Sequence, residues 1–271
     1  MQISNDSVPL GNYGVLAQDM PASKIDETAE EVIRIGYSIL DSGYSEDELK
    51  YLSEAFNLTR ANYLHKYGGE YLQRKNEYHT IRAPLAHGDP VFISLATNSN
   101  LLNVLNKLIQ GKFILNQQNG IVNPPKQHYN QSDWHRDLPY QHFVSNTPLA
   151  INALYCVDDF TFSNGSTFVL PATHKVANFP SDAYIQKNAL QLQARAGQYI
   201  LLDCMLFHCG GFNRTDQERR GVNHVYTIPY IKQQINFYDI LEGIKLTESQ
   251  RELFGCTYQE PRSIEQYLDN R

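Results

Sequence analysis

Two histidines and an aspartate in this sequence have the types and the spacing of a metal site with an open face. His135 and Asp137 are separated by one residue, and His208 follows Asp137 after 71 positions. Two imidazoles and one carboxylate form the facial triad of non-haem Fe(II) oxygenases, which leaves coordination positions free. The spacing therefore predicts a catalytic iron site rather than a structural one.

Period-two alternation explains how the first two ligands could meet one ion. We expect residues 132–138 to form a strand or a strand end, so that His135 and Asp137 point to the same face. His208 stands at the end of a continuous apolar run over residues 199–208, which a Gly-Gly pair then breaks. The pattern predicts that His208 ends a buried strand and reaches into the mouth of a barrel.

The chain resembles the phytanoyl-CoA dioxygenase family of Fe(II)- and 2-oxoglutarate-dependent oxygenases over roughly residues 25–255. Three elements carry the resemblance: Trp134-His135-Arg136-Asp137, the Asn164-Gly165 turn with the stretch that follows it, and residues 208–219. The family usually has Pro-Gly-Ser-His where this chain has Pro171-Ala172-Thr173-His174, and a basic residue before Pro-Gly where it has Asn123-Pro124-Pro125. These departures concern secondary co-substrate contacts and leave the triad intact.

The resemblance implies a role for each candidate residue. His135, Asp137 and His208 bind Fe(II), which reacts with O₂ and with the co-substrate 2-oxoglutarate. Arg219, eleven residues after His208, pairs with the far C5 carboxylate of 2-oxoglutarate, because a guanidinium offers a planar two-donor fork. Alternation turns Arg220 to the opposite face, and Arg220 is the alternative if the strand register differs by one.

Three more residues are candidates for the co-substrate pocket. Gln117 and Asn119 share one face of an earlier strand and could donate hydrogen bonds to 2-oxoglutarate, although solvent-facing amides would give the same pattern. Thr167, shortly after the Asn164-Gly165 turn, could line the same pocket or be an ordinary β-branched strand residue.

The remaining pattern predicts a mainly β fold with flanking helices around a double-stranded β-helix, the jelly roll of cupin-like proteins. We expect one domain over residues 1–271, with an N-terminal arm over about 1–24 and a jelly-roll core over about 113–231. Helices are predicted over residues 25–35, from the capping box of Ser45 and Glu48 onward, and over 91–108. Residues 66–90 are predicted to be rich in loop, either a plain connection or a substrate lid.

Composition limits the class of protein. The net charge of −6 argues against nucleic acid or an anionic membrane surface as a partner, and no apolar run approaches 18 residues. Four cysteines without metal-site spacing indicate reduced core thiols in a cytoplasmic protein. A small-molecule substrate is the expected partner, and the sequence does not indicate an oligomeric state.

The predicted reaction is hydroxylation of an unactivated C–H bond in a small, polar or anionic metabolite such as an amino acid, a sugar derivative or a natural-product intermediate, with succinate and CO₂ as co-products. Polar side chains expected near the mouth support this substrate class: Arg74, Tyr78, His79, Arg82, Arg136, Tyr140, Gln141 and His142. Alternatives are desaturation, cyclisation or epimerisation by the same iron chemistry, a non-catalytic binding protein on the same fold, and a zinc hydrolase.

Overall fold

The computed structural model describes residues 8–138 and 144–269, where antiparallel strands form two sheets. The larger sheet has the strand order β1-β7-β4-β9-β3-β2 and contains β1 (Tyr37–Asp41), β2 (Thr80–Arg82), β3 (Ile114–Asn123), β4 (Ala150–Cys156), β7 (Gln198–Asp203) and β9 (Arg219–Thr227). The smaller sheet has the order β6-β5-β8 and contains β5 (Thr167–Val169), β6 (Leu190–Gln191) and β8 (His208–Gly210). The predicted mainly β fold with a jelly-roll core is confirmed.

Helices flank the sheets before and after the strands of the core. They are α1 (Lys24–Ile35), α2 (Glu46–Tyr67), α3 (Gly69–Arg74), α4 (Val91–Ala96), α5 (Ser99–Leu108), α6 (Asp182–Asn188), α7 (Phe237–Ile240), α8 (Glu248–Leu253) and α9 (Ile264–Asp269). Residues 8–23 are exposed and contain neither helix nor strand. No helix within the two described ranges is long and apolar enough to cross a membrane.

The start of α2 shows a helix that its local sequence specifies. Ser45 accepts a hydrogen bond from the backbone N–H of Glu48, and the Glu48 carboxylate accepts one from the backbone N–H of Ser45. This reciprocal arrangement is the predicted capping box, and it satisfies N–H groups that have no partner within the first turn.

The prediction of one helix over residues 91–108 is wrong, because the chain breaks at Asn98. The Asn98 side chain accepts a hydrogen bond from the N–H of Leu101 and donates one to the carbonyl of Ser42. An asparagine that caps a new helix and ties it to a distant loop ends α4 and begins α5.

The stretch over residues 66–90, predicted to be rich in loop, contains more regular structure than expected. This stretch contains α3, the edge strand β2 and a 3-10 turn at Pro84–Ala86. Strand β2 pairs with β3, with Ile81 opposite Gly120, and a three-residue strand has too little periodicity to be recognised without its partner. Both β1 and β2 precede residue 113, so the larger sheet extends beyond the predicted limits of the core.

The larger sheet buries one face against the helices and turns the other toward a cavity. On β7 and β9, the phenols of Tyr199 and Tyr226 donate to the carbonyls of Leu95 and Ala96 at the end of α4. Residues of β9 on the opposite face, such as Asn223, line the cavity, which residues of the smaller sheet close. Because side chains alternate along a strand, β9 packs on the helices with one face and lines the cavity with the other.

Candidate functional site

The three residues selected by spacing lie together at one end of this cavity. The candidate ligand atoms of His135, Asp137 and His208 are all within 4.8 Å of one another. The two imidazole centroids are 4.4 Å apart, and His208 Nε2 lies 3.6 Å from Asp137 Oδ1. Among the described residues, no other group of three histidines, cysteines or carboxylates meets the same criterion.

The backbone around the first two ligands differs from the predicted strand. Residues 132–138 form a single antiparallel bridge, in which His135 and His208 exchange N–H···O hydrogen bonds of 3.0 and 3.1 Å. This bridge places the two imidazoles side by side. The N–H of Asp137 then donates to the carbonyl of Cys204 at 3.0 Å, which brings the carboxylate to the same place.

His208 begins a strand, which corrects the prediction that it ends one. Strand β7 ends at Asp203, and a turn carries the chain to β8 in the smaller sheet. Asp203 holds that turn, because its side chain accepts from the N–H of Met205 and its carbonyl accepts from the N–H of Leu206. Hydrophobicity continues through the turn because the turn is buried, so the sequence pattern does not mark the crossing.

Each imidazole is oriented by its own chain. His135 Nδ1 is 2.7 Å from the carbonyl of Asp133, and His208 Nδ1 is 2.9 Å from the carbonyl of Leu206. A carbonyl only accepts, so Nδ1 carries a proton in each ring, and Nε2 is the nitrogen through which the neutral imidazole would bind a metal.

The charges of the site suit a divalent cation. Burial raises the pKa of Asp137, but the two imidazoles and the amide of Asn152 outweigh burial and hold it at about 2. Burial and the neighbouring His208 lower the pKa of His135. Burial also lowers the pKa of His208, and the Asp137 carboxylate more than reverses this and raises it. An ionised carboxylate beside a neutral imidazole at neutral pH is therefore ready to coordinate.

Arg219 lies at the other end of the cavity with part of its hydrogen-bonding capacity unused. Its side chain is buried, its guanidinium stacks 4.0 Å above the ring of Phe160, and its Nη2 donates to the hydroxyl of Tyr129 at 3.3 Å. Its Nε and Nη1 are buried and have no partner within residues 8–138 and 144–269. A buried cation with unpaired donors is costly, so the arrangement fits a carboxylate of a bound ligand.

Arg220 takes the opposite direction, as alternation requires. It forms an ion pair with Asp158 at 2.6 Å and donates to Asn57 and Ser53 of α2. Its guanidinium is thus engaged outside the cavity, and the strand register that turns Arg219 inward is the one observed.

The weaker candidates divide into two groups. Thr167 on β5 lines the cavity. Gln117 and Asn119 share a face of β3 but are not among the cavity-lining residues, and the amide of Asn119 donates to Gln234. Asn119 lies directly opposite Asn223 of β9, which does line the cavity.

The cations predicted at the mouth have partners within the protein. Arg136 is buried, stacks on the ring of Phe207 and donates to carbonyls of the turn at residues 173–177, so it faces away from the metal ligands. Arg82 pairs with Glu77, and Arg74 is exposed on α3. Tyr140, Gln141 and His142 lie outside the described residues.

Three residues of the site were missed by sequence reasoning: Tyr129, Asn152 and Phe160. Asn152 carried a signal, since it is the one polar side chain besides a tyrosine in the apolar strand Ala150–Cys156. Tyr129 and Phe160 lie in segments without regular periodicity, and only the fold brings them to Arg219.

The fold and the site together define an oxidoreductase of the iron- and 2-oxoglutarate-dependent dioxygenase class. A family profile described as phytanoyl-CoA dioxygenase (PhyH) matches residues 33–221. Because that match covers more than half of the chain, the protein belongs to the PhyH family.

Solved structures and curated relatives agree with this assignment. EctD from S. alaskensis, crystallised with 2-oxoglutarate and 5-hydroxyectoine, has a TM-score of 0.64 and 23% identity over 78% of each chain. The α-ketoglutarate-dependent epimerase SnoN from nogalamycin biosynthesis has a TM-score of 0.57 and 19% identity, over 82% of this chain and 89% of SnoN. These two likenesses concern the fold.

Among curated proteins, Uncharacterized protein Rv1501 of Mycobacterium tuberculosis is 24% identical over 253 residues, which is 90% of this chain and 92% of the relative. Dioxygenase hkm4 of Aspergillus hancockii is 32% identical over 98 residues, 34% of this chain and 32% of the relative.

Proposed function

We propose that the protein hydroxylates an unactivated C–H bond of a small, polar metabolite, with succinate and CO₂ as co-products. His135, Asp137 and His208 would hold Fe(II), and Arg219 would hold the C5 carboxylate of 2-oxoglutarate. The observation that supports this most strongly is one cavity that contains a three-donor cluster at one end and a buried guanidinium with unpaired donors at the other.

The donor set supports iron with an anionic co-substrate. Two neutral imidazoles and one carboxylate leave a bound divalent ion with a net charge of +1, which favours an anionic chelating ligand. When bound, iron would couple the oxidative decarboxylation of 2-oxoglutarate to oxidation of the substrate. Ile121, Leu154 and Leu202 line the same cavity and contribute apolar surface to its walls.

Carboxamides near the cavity support a neutral, hydrogen-bonding substrate. Asn152 and Asn223 line the cavity from the adjacent strands β4 and β9, and each has a buried Oδ1 with no partner among the described residues. An unpaired buried acceptor costs about 1–3 kcal/mol, so a ligand that offers O–H or N–H donors would be stabilised there. The paired state of Arg82 and Arg136 removes the argument for an anionic substrate.

Fewer observations bear on the outcome of the reaction, hydroxylation or epimerisation, than on the class of enzyme. The EctD crystal contains 5-hydroxyectoine, a small hydroxylated molecule, and this favours hydroxylation. SnoN, described as an epimerase, has the same fold, so epimerisation is the second candidate. Asp137 supplies a carboxylate at the iron position, which favours both of these reactions over halogenation.

Metal-dependent turnover of 2-oxoglutarate tests the proposal. Metal-free protein is loaded anaerobically with Fe(II) or with Zn(II), and succinate is measured after O₂ is admitted with each member of a panel of neutral and anionic metabolites. We expect succinate only with Fe(II), stimulated by neutral polar compounds. A mass gain of one oxygen identifies hydroxylation, an unchanged mass with altered stereochemistry identifies epimerisation, and hydrolysis in the Zn(II) sample would contradict an oxygenase.

A further inference from the structure

Asn152 makes one direct contact with the candidate metal centre. It lies on β4, is 3% exposed, and its Nδ2 is 2.7 Å from Oδ2 of Asp137. Cross-strand neighbours of Asn152 are Leu202 and Val225, which offer no side-chain hydrogen bond. A lone carboxamide among apolar neighbours therefore has the carboxylate as its partner.

The 2.7 Å contact fixes the orientation of this amide. Nδ2 of Asn152 is the donor and Oδ2 of Asp137 is the acceptor, so the amide presents its NH₂ group to the carboxylate. The two carboxylate oxygens then have different surroundings. Oδ2 accepts from Asn152, while Oδ1 lies 3.6 Å from Nε2 of His208, beside the candidate ligand atoms.

We propose that Asn152 is a positioning residue that makes Asp137 a one-oxygen ligand. By occupying Oδ2, the amide leaves Oδ1 to the metal and keeps a coordination position open for the co-substrate. The inference rests on the proposed function, because it assumes that the three-donor cluster binds the metal. Without the amide, both oxygens of Asp137 are free to coordinate, and the open position is lost.

Other contacts of Asp137 do not replace this one. The Cys204 thiol is also near the carboxylate, but a thiol is a weak donor. The backbone N–H of Asp137 donates to the Cys204 carbonyl and so positions the main chain, whereas rotation of the carboxylate is limited by Asn152. Outer partners of metal ligands commonly change metal affinity by about tenfold to hundredfold.

The test uses Co(II) as the probe, without O₂, and compares Asn152→Leu and Asn152→Asp with wild type. Asn152→Leu removes the donor at similar size, and we expect Co(II) affinity to fall about tenfold to hundredfold. The visible Co(II) spectrum should also change in intensity, and 2-oxoglutarate should perturb it less. Asn152→Asp places a second carboxylate beside that of Asp137. It should therefore also change the visible spectrum when metal-free protein is titrated with Co(II).

Asn223→Leu is the matched control, since Asn223 lines the same cavity without a hydrogen bond to Asp137. We expect its Co(II) affinity and spectrum to equal those of wild type. Circular dichroism checks the fold of each variant, and Asn152→Asp, which conserves volume, decides the question if Asn152→Leu does not fold. Wild-type affinity and spectrum in a folded Asn152 variant would overturn the inference. Failure of wild type itself to bind Co(II) through His135 and Asp137 would instead overturn the proposed function.

Discussion

The two ends of the cavity are built in contrasting ways. At the proposed metal end, His135 lies in an isolated bridge, Asp137 in the bend that follows, and His208 at the start of the three-residue strand β8. At the co-substrate end, Arg219 begins a nine-residue strand that is paired on both sides in the larger sheet. Irregular backbone thus carries the metal ligands, and regular sheet carries the cation.

The end with the less regular backbone is the one whose polar groups have more partners within the protein. The irregular metal end is internally satisfied, because Nδ1 of each imidazole contacts a carbonyl and Asp137 has His208 and Asn152 as partners. The regular end holds a buried guanidinium with two unpaired nitrogen atoms. The metal end is therefore organised before it binds an ion, whereas the co-substrate end gains most of its favourable contacts only when an anion arrives.

The largest expected effect comes from removing a ligand at the metal end. Asp137→Ala or His135→Ala leaves two of the three donors, so Fe(II)-dependent succinate formation should fall to background while the fold is retained. Calorimetric Fe(II) titration under anaerobic conditions measures the loss. Wild-type-like iron affinity in both variants would show that these residues do not form the metal site.

Arg219→Ala tests whether the co-substrate end acts separately. Breaking a buried ion pair by removing one partner costs roughly 3–5 kcal/mol. At about 1.4 kcal/mol per tenfold, 2-oxoglutarate should bind two to three orders of magnitude more weakly, with iron affinity nearly unchanged. The 2-oxoglutarate dependence of succinate formation measures this.

Two variants serve as controls for Arg219. Arg219→Lys should recover part of the loss, because it restores charge but not the planar fork. Arg220→Ala should leave 2-oxoglutarate affinity close to wild type, since Arg220 is paired with Asp158 outside the cavity. A large effect at Arg220 with none at Arg219 would contradict the assignment of the co-substrate end.

The pH dependence of metal binding sharpens the contrast. In the metal-free fold, Asp137 raises the pKa of His208. Charged His208 therefore stabilises the folded protein below the unfolded pKa of about 6.5, and this contribution is lost as pH rises through the folded pKa. Metal binding must displace that proton, so affinity should fall about tenfold per pH unit below the folded pKa of His208.

The number of protons released on Co(II) binding distinguishes the groups involved. We expect the released protons to come mainly from His208, whose pKa is raised, because His135 has a lowered pKa and Asp137 remains ionised down to about pH 2. Calorimetry in buffers of different ionisation enthalpy counts the protons. Release of two protons at neutral pH would mean that His135 is also charged before the metal binds.

The smallest expected effect is that of Tyr129→Phe at the co-substrate end. The variant removes one hydrogen bond to Arg219 and retains the ring, which corresponds to roughly 0.5–1.5 kcal/mol. Affinity for 2-oxoglutarate should weaken about twofold to tenfold. In an Arg219→Ala background the same change should have no further effect, and additive losses would show that Tyr129 acts independently of Arg219.

Features with a local cause were predictable from the sequence. The capping box at Ser45 depends on residues three positions apart, and it was found as predicted. The opposite directions of Arg219 and Arg220 follow from strand alternation, and the family resemblance was carried by motifs whose order is visible in the chain. The separation of His135 and Asp137 by one residue also placed both on one side, although the backbone there is a bridge.

Features with a distant cause were not predictable in the same way. The crossing between sheets at residues 204–207 is hidden by uniform hydrophobicity, and the helix break at Asn98 depends on a contact with Ser42. Arg136 was expected at the mouth because it is charged, but its partners are backbone carbonyls about 40 residues away. Carbonyl acceptors exist in every residue, so sequence does not show which of them a cation will meet.

The sequence by itself determined the donor types of the candidate site, their order along the chain and the strand face on which Arg219 lies. The tertiary structure decided which groups complete the site: the pairing of His135 with His208, the amide of Asn152 on Asp137, and the ring of Phe160 beneath Arg219. The physical reason is range. Residue type and alternation act within a few positions, whereas each of these contacts joins segments that only the packing of two sheets brings together.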